Sequence, residues 1–142
     1  MLHTGLRVSE VCALRQDDLN ITSRKGTVRV RAGKGNKSRV VPLNKKARKA
    51  LEAWLPLTGD DRVFPLQRAG VHKRVKLYTT RAGLDGCSAH TLWHTFGKNL
   101  IDQGVGIEQV ASLLGHSTLD TTRIYTLPGE QDLARAVERL AG

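Results

Sequence analysis

The segment HTLWHT, residues 90–95, carries two histidines four residues apart with a tryptophan just before the second. On a helix His90, Trp93, His94 and Gly97 fall on one stripe, so both imidazoles project from the same side. Such a pair can move protons near neutral pH or ligate a metal. A metal is not expected here. Nothing between the two resembles the Glu of an HExxH motif, and a third ligand would have to come from His72, His116 or a cysteine elsewhere. The pair reads as structural histidines that satisfy one another.

Farther along, LLGHSTLDTTRIY (113–125) sets His116 behind a glycine and Tyr125 nine residues later. A tyrosine hydroxyl becomes a nucleophile when a neighbouring base takes its proton. Alone it is an ordinary core or surface residue. Here it has company: TGLRVSE (4–10) offers Arg7, and GKGNKSR (33–39) offers Lys34, Lys37 and Arg39 around glycines.

These residues need elements to position them. Val8, Val11, Cys12 and Arg15 predict a helix over about 7–16, ahead of Asp17 and Asp18. TVRVR (27–31) and SRVVPL (38–43) are β-branched runs joined by AGKGNK, which reads as a hairpin. Asn44 is a candidate N-cap for a helix carrying Ala47, Ala50, Leu51, Trp54 and Leu55 on its apolar side. VFPL (63–66) reads as extended, and VHKRVKLYTTRAGL (71–84) as a basic helix with Val71, Val75 and Tyr78 in register. Four helical patterns follow at 89–103, 107–114, about 118–126, and 130–141, the last two parted by Pro128-Gly129. Leu92, Phe96 and Leu100 form a core stripe beside the histidines. Helix, hairpin, then helices predict a mostly helical α+β domain with a small antiparallel sheet at one side.

Length and composition agree with one soluble domain, since 39% of the 142 residues are apolar and none of the apolar runs nears the ~20 residues of a membrane span. The start of the chain does not read as a signal peptide, so a cytoplasmic protein is expected. Cys12 and Cys87 read as free thiols. The net charge of +10 is more telling because of its address. Residues 1–50 hold 13 Lys/Arg against Glu10, Asp17 and Asp18, while residues 51–142 hold ten of each sign. A concentrated positive surface favours a polyanion, most often nucleic acid. Lys37, Arg39, Lys73 and Arg74 are the candidates for contacts to a DNA backbone.

Taken together, the TGLR, GKGNK, HTLWH and LGH motifs and the tyrosine resemble the catalytic domain of the tyrosine recombinases, the family of phage integrases and chromosome-dimer-resolving recombinases. The resemblance runs from Thr4 to about Thr126. It places the first family arginine on Arg7, the hairpin lysine on Lys34, and the histidine that opens the HxLRH motif on His90. The histidine of LGH falls on His116 and the nucleophile on Tyr125. The second family arginine falls on Trp93.

That resemblance implies a chemistry without metal or cofactor. Tyr125 would attack a DNA phosphodiester, form a 3′-phosphotyrosyl bond and release a 5′-hydroxyl. Arg7 would stabilise the transition-state charge, Lys34 would protonate the leaving oxygen, His90 would assist proton transfer from Tyr125, and His116 would donate to the phosphate. Trp93 has one neutral N–H and no charge. Losing one transition-state donor costs about 2.7–4 kcal/mol, roughly 10²–10³ in rate. Impaired DNA cleavage is therefore expected, and the alternative is a non-catalytic remnant that occupies recombination sites. The resemblance also implies a single catalytic domain over 1–142 that lacks the family's first helices and its separate N-terminal DNA-binding domain. Double-stranded DNA is the implied partner. EQDLARAVERLAG (130–142), with Leu133, Ala136, Val137 and Leu140 on one face, would either pack on its own domain or join neighbouring copies into a tetramer on DNA.

Overall fold

The structure, a computed structural model, describes residues 1–31, 38–126 and 130–139. Lys34, Lys37, the Pro128-Gly129 break and Leu140 lie outside the described residues. Helix α1 (Val8–Ala13) is followed by a 3₁₀ turn (Gln16–Asp18), then strands β1 (Leu19–Ile21), β2 (Gly26–Val30) and β3 (Arg39–Pro42). Six helices complete the order: α2 (Lys45–Thr58), α3 (Arg68–Arg81), α4 (Ala89–Asp102), α5 (Ile107–Leu114), α6 (Asp120–Arg123) and α7 (Glu130–Glu138). The α+β reading holds. No described helix is long and apolar enough to cross a membrane.

The sheet is antiparallel in the order β1-β2-β3, with Val28 opposite Val41 and Leu19 opposite Val28. Alternation in GTVRV puts Val28 and Val30 inward and Arg29 outward. Beneath the sheet, Leu6, Val11, Leu14, Val41, Leu43 and Val63 join them in one core, closed by Ala47, Leu51 and Leu55 of α2. Asn44 caps α2 by accepting from Ala47 N–H at 2.9 Å. Trp54 is exposed on its rim, its indole N–H held by Val63 O at 2.6 Å. A second cluster, Trp93, Val110, Leu114 and Tyr125, is built from α4, α5 and the turn after α6.

The structure departs from or adds to the sequence reading at four places. The first helix is shorter than 7–16, because Leu14 turns extended and the Asp18 carboxylate takes Arg15 N–H at 3.0 Å, starting a 3₁₀ turn. Strand β1 is an addition, its three residues LNI being too few to show a period. Helix α3 begins three residues earlier than 71, and its inward residues are Val71 and Thr79 while Tyr78 is exposed. On α7, Leu133 and Val137 face outward at 53% and 66% exposure, so the helix does not bury them on its own domain.

One ion pair ties the two halves together. Glu10 of α1, with its side chain 7% exposed, accepts from Arg39 Nη1 at 2.7 Å and Nη2 at 2.9 Å. It also accepts from Arg7 N–H at 2.8 Å, while Arg39 Nε donates to Leu113 O of α5 at 3.0 Å. Gly115 follows at φ +69°, where an added Cβ would lie 2.6 Å from the Arg39 guanidinium, so the close approach needs glycine. Burial pushes the Glu10 carboxyl up, but the Arg39 hydrogen bonds, the Arg7 N–H and both guanidinium charges outweigh it and hold it below the ordinary value of 4.5.

Breaking a buried pair from one side leaves an unpaired charge, which costs about 3–5 kcal/mol. Glu10→Gln is expected to lose that much in urea unfolding at pH 7. The carboxylate's contribution is fully present above 4.5, the unfolded value, and is lost as pH falls through the depressed folded value. The gap between the two proteins should therefore narrow in acid, and a gap that widens would contradict the assignment.

Candidate functional site

Helix α4 starts at a reciprocal cap, with Ser88 Oγ accepting from Thr91 N–H at 3.2 Å and Thr91 Oγ1 accepting from Ser88 N–H at 3.1 Å. That start fixes the phase of the stripe: Ala89, Trp93 and Gly97 point into the protein, and His90 stays exposed at the edge. Gly97 lets the Tyr125 ring rest against α4, since a Cβ there would meet the ring at 3.0 Å and Leu114 at 3.1 Å. Tyr125 itself is 8% exposed, in the turn that follows α6.

Trp93 is the hub of what converges there. Its indole N–H donates to Gly5 O at 2.9 Å, which pins the loop before α1 onto α4. The Arg7 guanidinium lies over its ring, 5.1 Å from the centroid. Three imidazoles surround it: His90 stacked at 5.5 Å, with His94 and His116 edge-on at 5.2 Å each. The sequence alone left the indole N–H free to serve a ligand. The structure spends it on backbone.

The other polar groups are held as follows. Arg7 donates to Gly115 O at 3.4 Å and sits 3.5 Å from Glu10, contacts long enough to leave its outer fork open. His116 Nδ1 pairs with the buried Thr122 Oγ1 at 2.7 Å, while its Nε2 is buried with no partner among the described residues. An unpaired buried nitrogen costs about 1–3 kcal/mol, which a ligand could recover. Burial, and then the charges of Arg7, His94 and Arg39, lower the His116 pKa below 6.5. Burial raises the Tyr125 hydroxyl above 10, against the opposing pull of Arg7. The Tyr125 hydroxyl is 2.5 Å from His94 Nδ1, and His94 Nε2 is 2.6 Å from His90 Nε2.

A cleft of about 320 Å³ opens beside these groups, lined by Arg7, Ser9, Arg68, His72, His90 and Trp93. Among the expected site residues, Arg7, His90, Trp93, His116 and Tyr125 are thus brought together. Lys34 and Lys37 fall outside the described residues. Arg39 is corrected from a DNA contact to an internal anchor, because its fork is filled by Glu10 and its side chain is 15% exposed. Lys73 is exposed, and Arg74 lines a different groove beside Trp54, Phe64 and Tyr78. The α3 residues on the cleft are Arg68 and His72, one turn apart, and the i, i+4 spacing was the signal available for them. Two histidines, His90 and His94, stand close, yet no group of three or more His, Cys, Asp or Glu among the described residues could hold a metal ion.

A family model described as the phage integrase family matches residues 1–131. The chain belongs to that family, the tyrosine recombinases. Among curated relatives of this integrase-family domain, tyrosine recombinase XerA of Thermococcus kodakarensis is 36% identical over 155 residues, covering 97% of this chain and 54% of the relative. Tyrosine recombinase XerC of Pseudomonas fluorescens is 40% identical over 142 residues, covering 92% of this chain and 46% of the relative. The chain therefore spans about half the length of the relatives it matches. Of solved structures, the crystal structure of XerA recombinase superposes with a TM-score of 0.83 at 27% identity, over 99% of this chain and 55% of that one. XerH recombinase bound to a palindromic difH substrate, a post-cleavage complex, gives 0.83 at 29% identity, over 99% and 43%. The fold is that of a tyrosine recombinase catalytic domain.

With its N–H on Gly5 O and its ring packed by Arg7 and His90, the indole is as much a strut as a site residue. Trp93→Phe keeps an aromatic ring but leaves Gly5 O unpaired in a buried place, and is expected to lower unfolding free energy by about 1–3 kcal/mol. Trp93→Ala, which also opens a cavity, should lose about 3–5 kcal/mol. Urea unfolding measures both, and a loss under ~0.5 kcal/mol for either, the size of an ordinary surface change, would contradict the strut.

Proposed function

We propose that this domain cuts and rejoins duplex DNA at specific sites through a 3′-phosphotyrosyl bond on Tyr125. The observation that carries the reading is convergence: Arg7, His90 and His116 meet at one indole beside an open cleft, and Tyr125 packs in the same buried cluster as that indole. Family membership and relatives crystallised with DNA substrates support it.

In this reading the Tyr125 oxygen attacks phosphorus, the bond to the 5′-oxygen breaks, and no ATP is needed because the new ester conserves the bond. Arg7 presents its open fork to the non-bridging oxygens, and the free Nε2 of His116 donates to the same group. Lys34 supplies the proton that the leaving 5′-oxygen takes up. Trp93, standing where the family's second arginine belongs, adds no donor, so the chain cleaves slowly. The outward Leu133 and Val137 of α7 suit a neighbouring copy in an assembly on DNA.

A second reading has its own observation. With the indole N–H committed to Gly5 O, the site is one charge-bearing fork poorer, and a chain that only occupies its DNA site is the alternative. A covalent bond separates the two. The substrate is a nicked duplex carrying a site selected by binding from a random pool, and the readout is the protein–DNA adduct on a denaturing gel. The unaltered chain is expected to form the adduct slowly, Tyr125→Phe to form none, and folded Trp93→Arg to form it roughly 10²–10³ faster. No adduct from the unaltered chain would leave binding as the function.

A further inference from the structure

Tyr125 has a partner to which the family resemblance gives no role. Its hydroxyl meets His94 Nδ1 at 2.5 Å, and the opposite nitrogen of that ring meets His90 Nε2 at 2.6 Å. The tyrosine ring is buried, His94 is half-buried, and His90 is exposed. Phenol, imidazole, imidazole and solvent therefore form a row. The structure shows no direct hydrogen bond from Tyr125 to His90, the histidine expected to assist it.

We infer that His94 is the base that takes the Tyr125 proton, with His90 as its outlet to solvent. The inference rests on the strand-cleavage reading above. The phenol is the more acidic partner, so its O–H donates to His94 Nδ1 and leaves His94 Nε2–H to donate to His90. When the Tyr125 oxygen bonds to phosphorus, its proton moves to His94 Nδ1 and the Nε2 proton of His94 moves to His90. His90 becomes imidazolium at the surface, and His94 ends neutral in its other tautomer. The bond from phosphorus to the 5′-oxygen breaks, and that oxygen takes its proton from a separate acid. The reverse transfers return the proton to Tyr125 when the 5′-hydroxyl attacks to reseal the strand.

The surroundings suit a base. The groups that face His94 are His90 on its own helix, Tyr125 after α6, His116 beyond α5, and Arg7 across the Trp93 ring. No carboxylate among the described residues pairs with His94, so no ion pair holds it as an imidazolium at rest. Burial, and then the neighbouring His90, keep His94 below the ordinary histidine value of 6.5. A neutral imidazole with its lone pair on the phenol is the resting state near pH 7.

The test uses the nicked duplex with sulfur in place of the scissile 5′-bridging oxygen, because a thiolate leaves without a proton. The pH dependence then reports the nucleophile's base and not the leaving-group acid. The unaltered chain should lose adduct rate as pH falls below 6.5. His94→Gln, which can accept a hydrogen bond but not keep a proton, should be slower by about 10² or more and lose that acid limb. His90→Gln should be slowed less and keep the limb. A purely structural His94 would lower the rate and leave the limb in place, which would overturn the inference, as would a limb that disappears with His90→Gln alone. Independently of DNA, Tyr125→Phe should shift the ¹⁵N resonance of His94 Nδ1 and raise the His94 titration midpoint, and unchanged resonances would overturn the pairing. Absence of adduct from the unaltered chain at every pH would instead sink the strand-cleavage reading, and this inference with it.

Discussion

The site depends on where one indole is fixed. Trp93 sits with its N–H on Gly5 O, its ring under Arg7 and stacked with His90, and His94 and His116 edge-on to it, while its own helix also supports the Tyr125 ring at Gly97. A hydrogen bond of this kind is worth about 1 kcal/mol net. Its larger effect is geometric: the loop that carries Arg7 and the helix that carries both histidines become one body. A flexible arginine at the same place would reach toward a phosphate, whereas a rigid, buried ring can only position its neighbours.

The Glu10–Arg39 pair does the complementary job from the other side. It locks α1 to β3 and, through Leu113 O, to α5, so Arg7 and Gly115–His116 are held by the same pair of charges. This changes the meaning of the positive field. Arg7, Arg15, Arg31 and Arg39 each face an acid, so part of the charge concentrated in residues 1–50 is structural. Among the described residues, the arginines that line the cleft are Arg7, partly open, and Arg68 on α3.

Much of this was legible in the chain, for reasons that differ by element. The strands β2 and β3 announce themselves by β-branched alternation, and α4 and α5 by helical periodicity that stops at a glycine. The order and spacing of TGLR, HTLWH, LGH and the tyrosine were enough to specify the family. The misses are contacts across the fold, which period and spacing do not encode. Nothing local distinguishes Arg39, committed to Glu10 29 residues earlier, from a free surface arginine. Nothing local says that Tyr125 meets His94 and not His90, because both lie on one stripe and the choice depends on how α6 approaches α4. The indole N–H of Trp93 is spent on a carbonyl 88 residues away, which only the folded chain reveals.

The proposed chemistry takes Tyr125 as nucleophile, His94 as its base and Arg7 as the one guanidinium for the phosphate, with an indole where a second cation would stand. Charge at phosphorus is then the variable to change, since it can be altered without touching the protein. The decisive measurement compares adduct formation on two nicked duplexes that differ only at the scissile linkage, a phosphodiester and a neutral methylphosphonate. With one cation missing, the methylphosphonate should react faster, by roughly the 10²-fold worth of one absent donor. A phosphodiester that reacts as fast or faster would contradict the account, and would mean that another cation, with Arg68 lining the cleft, already fills the place that Trp93 left.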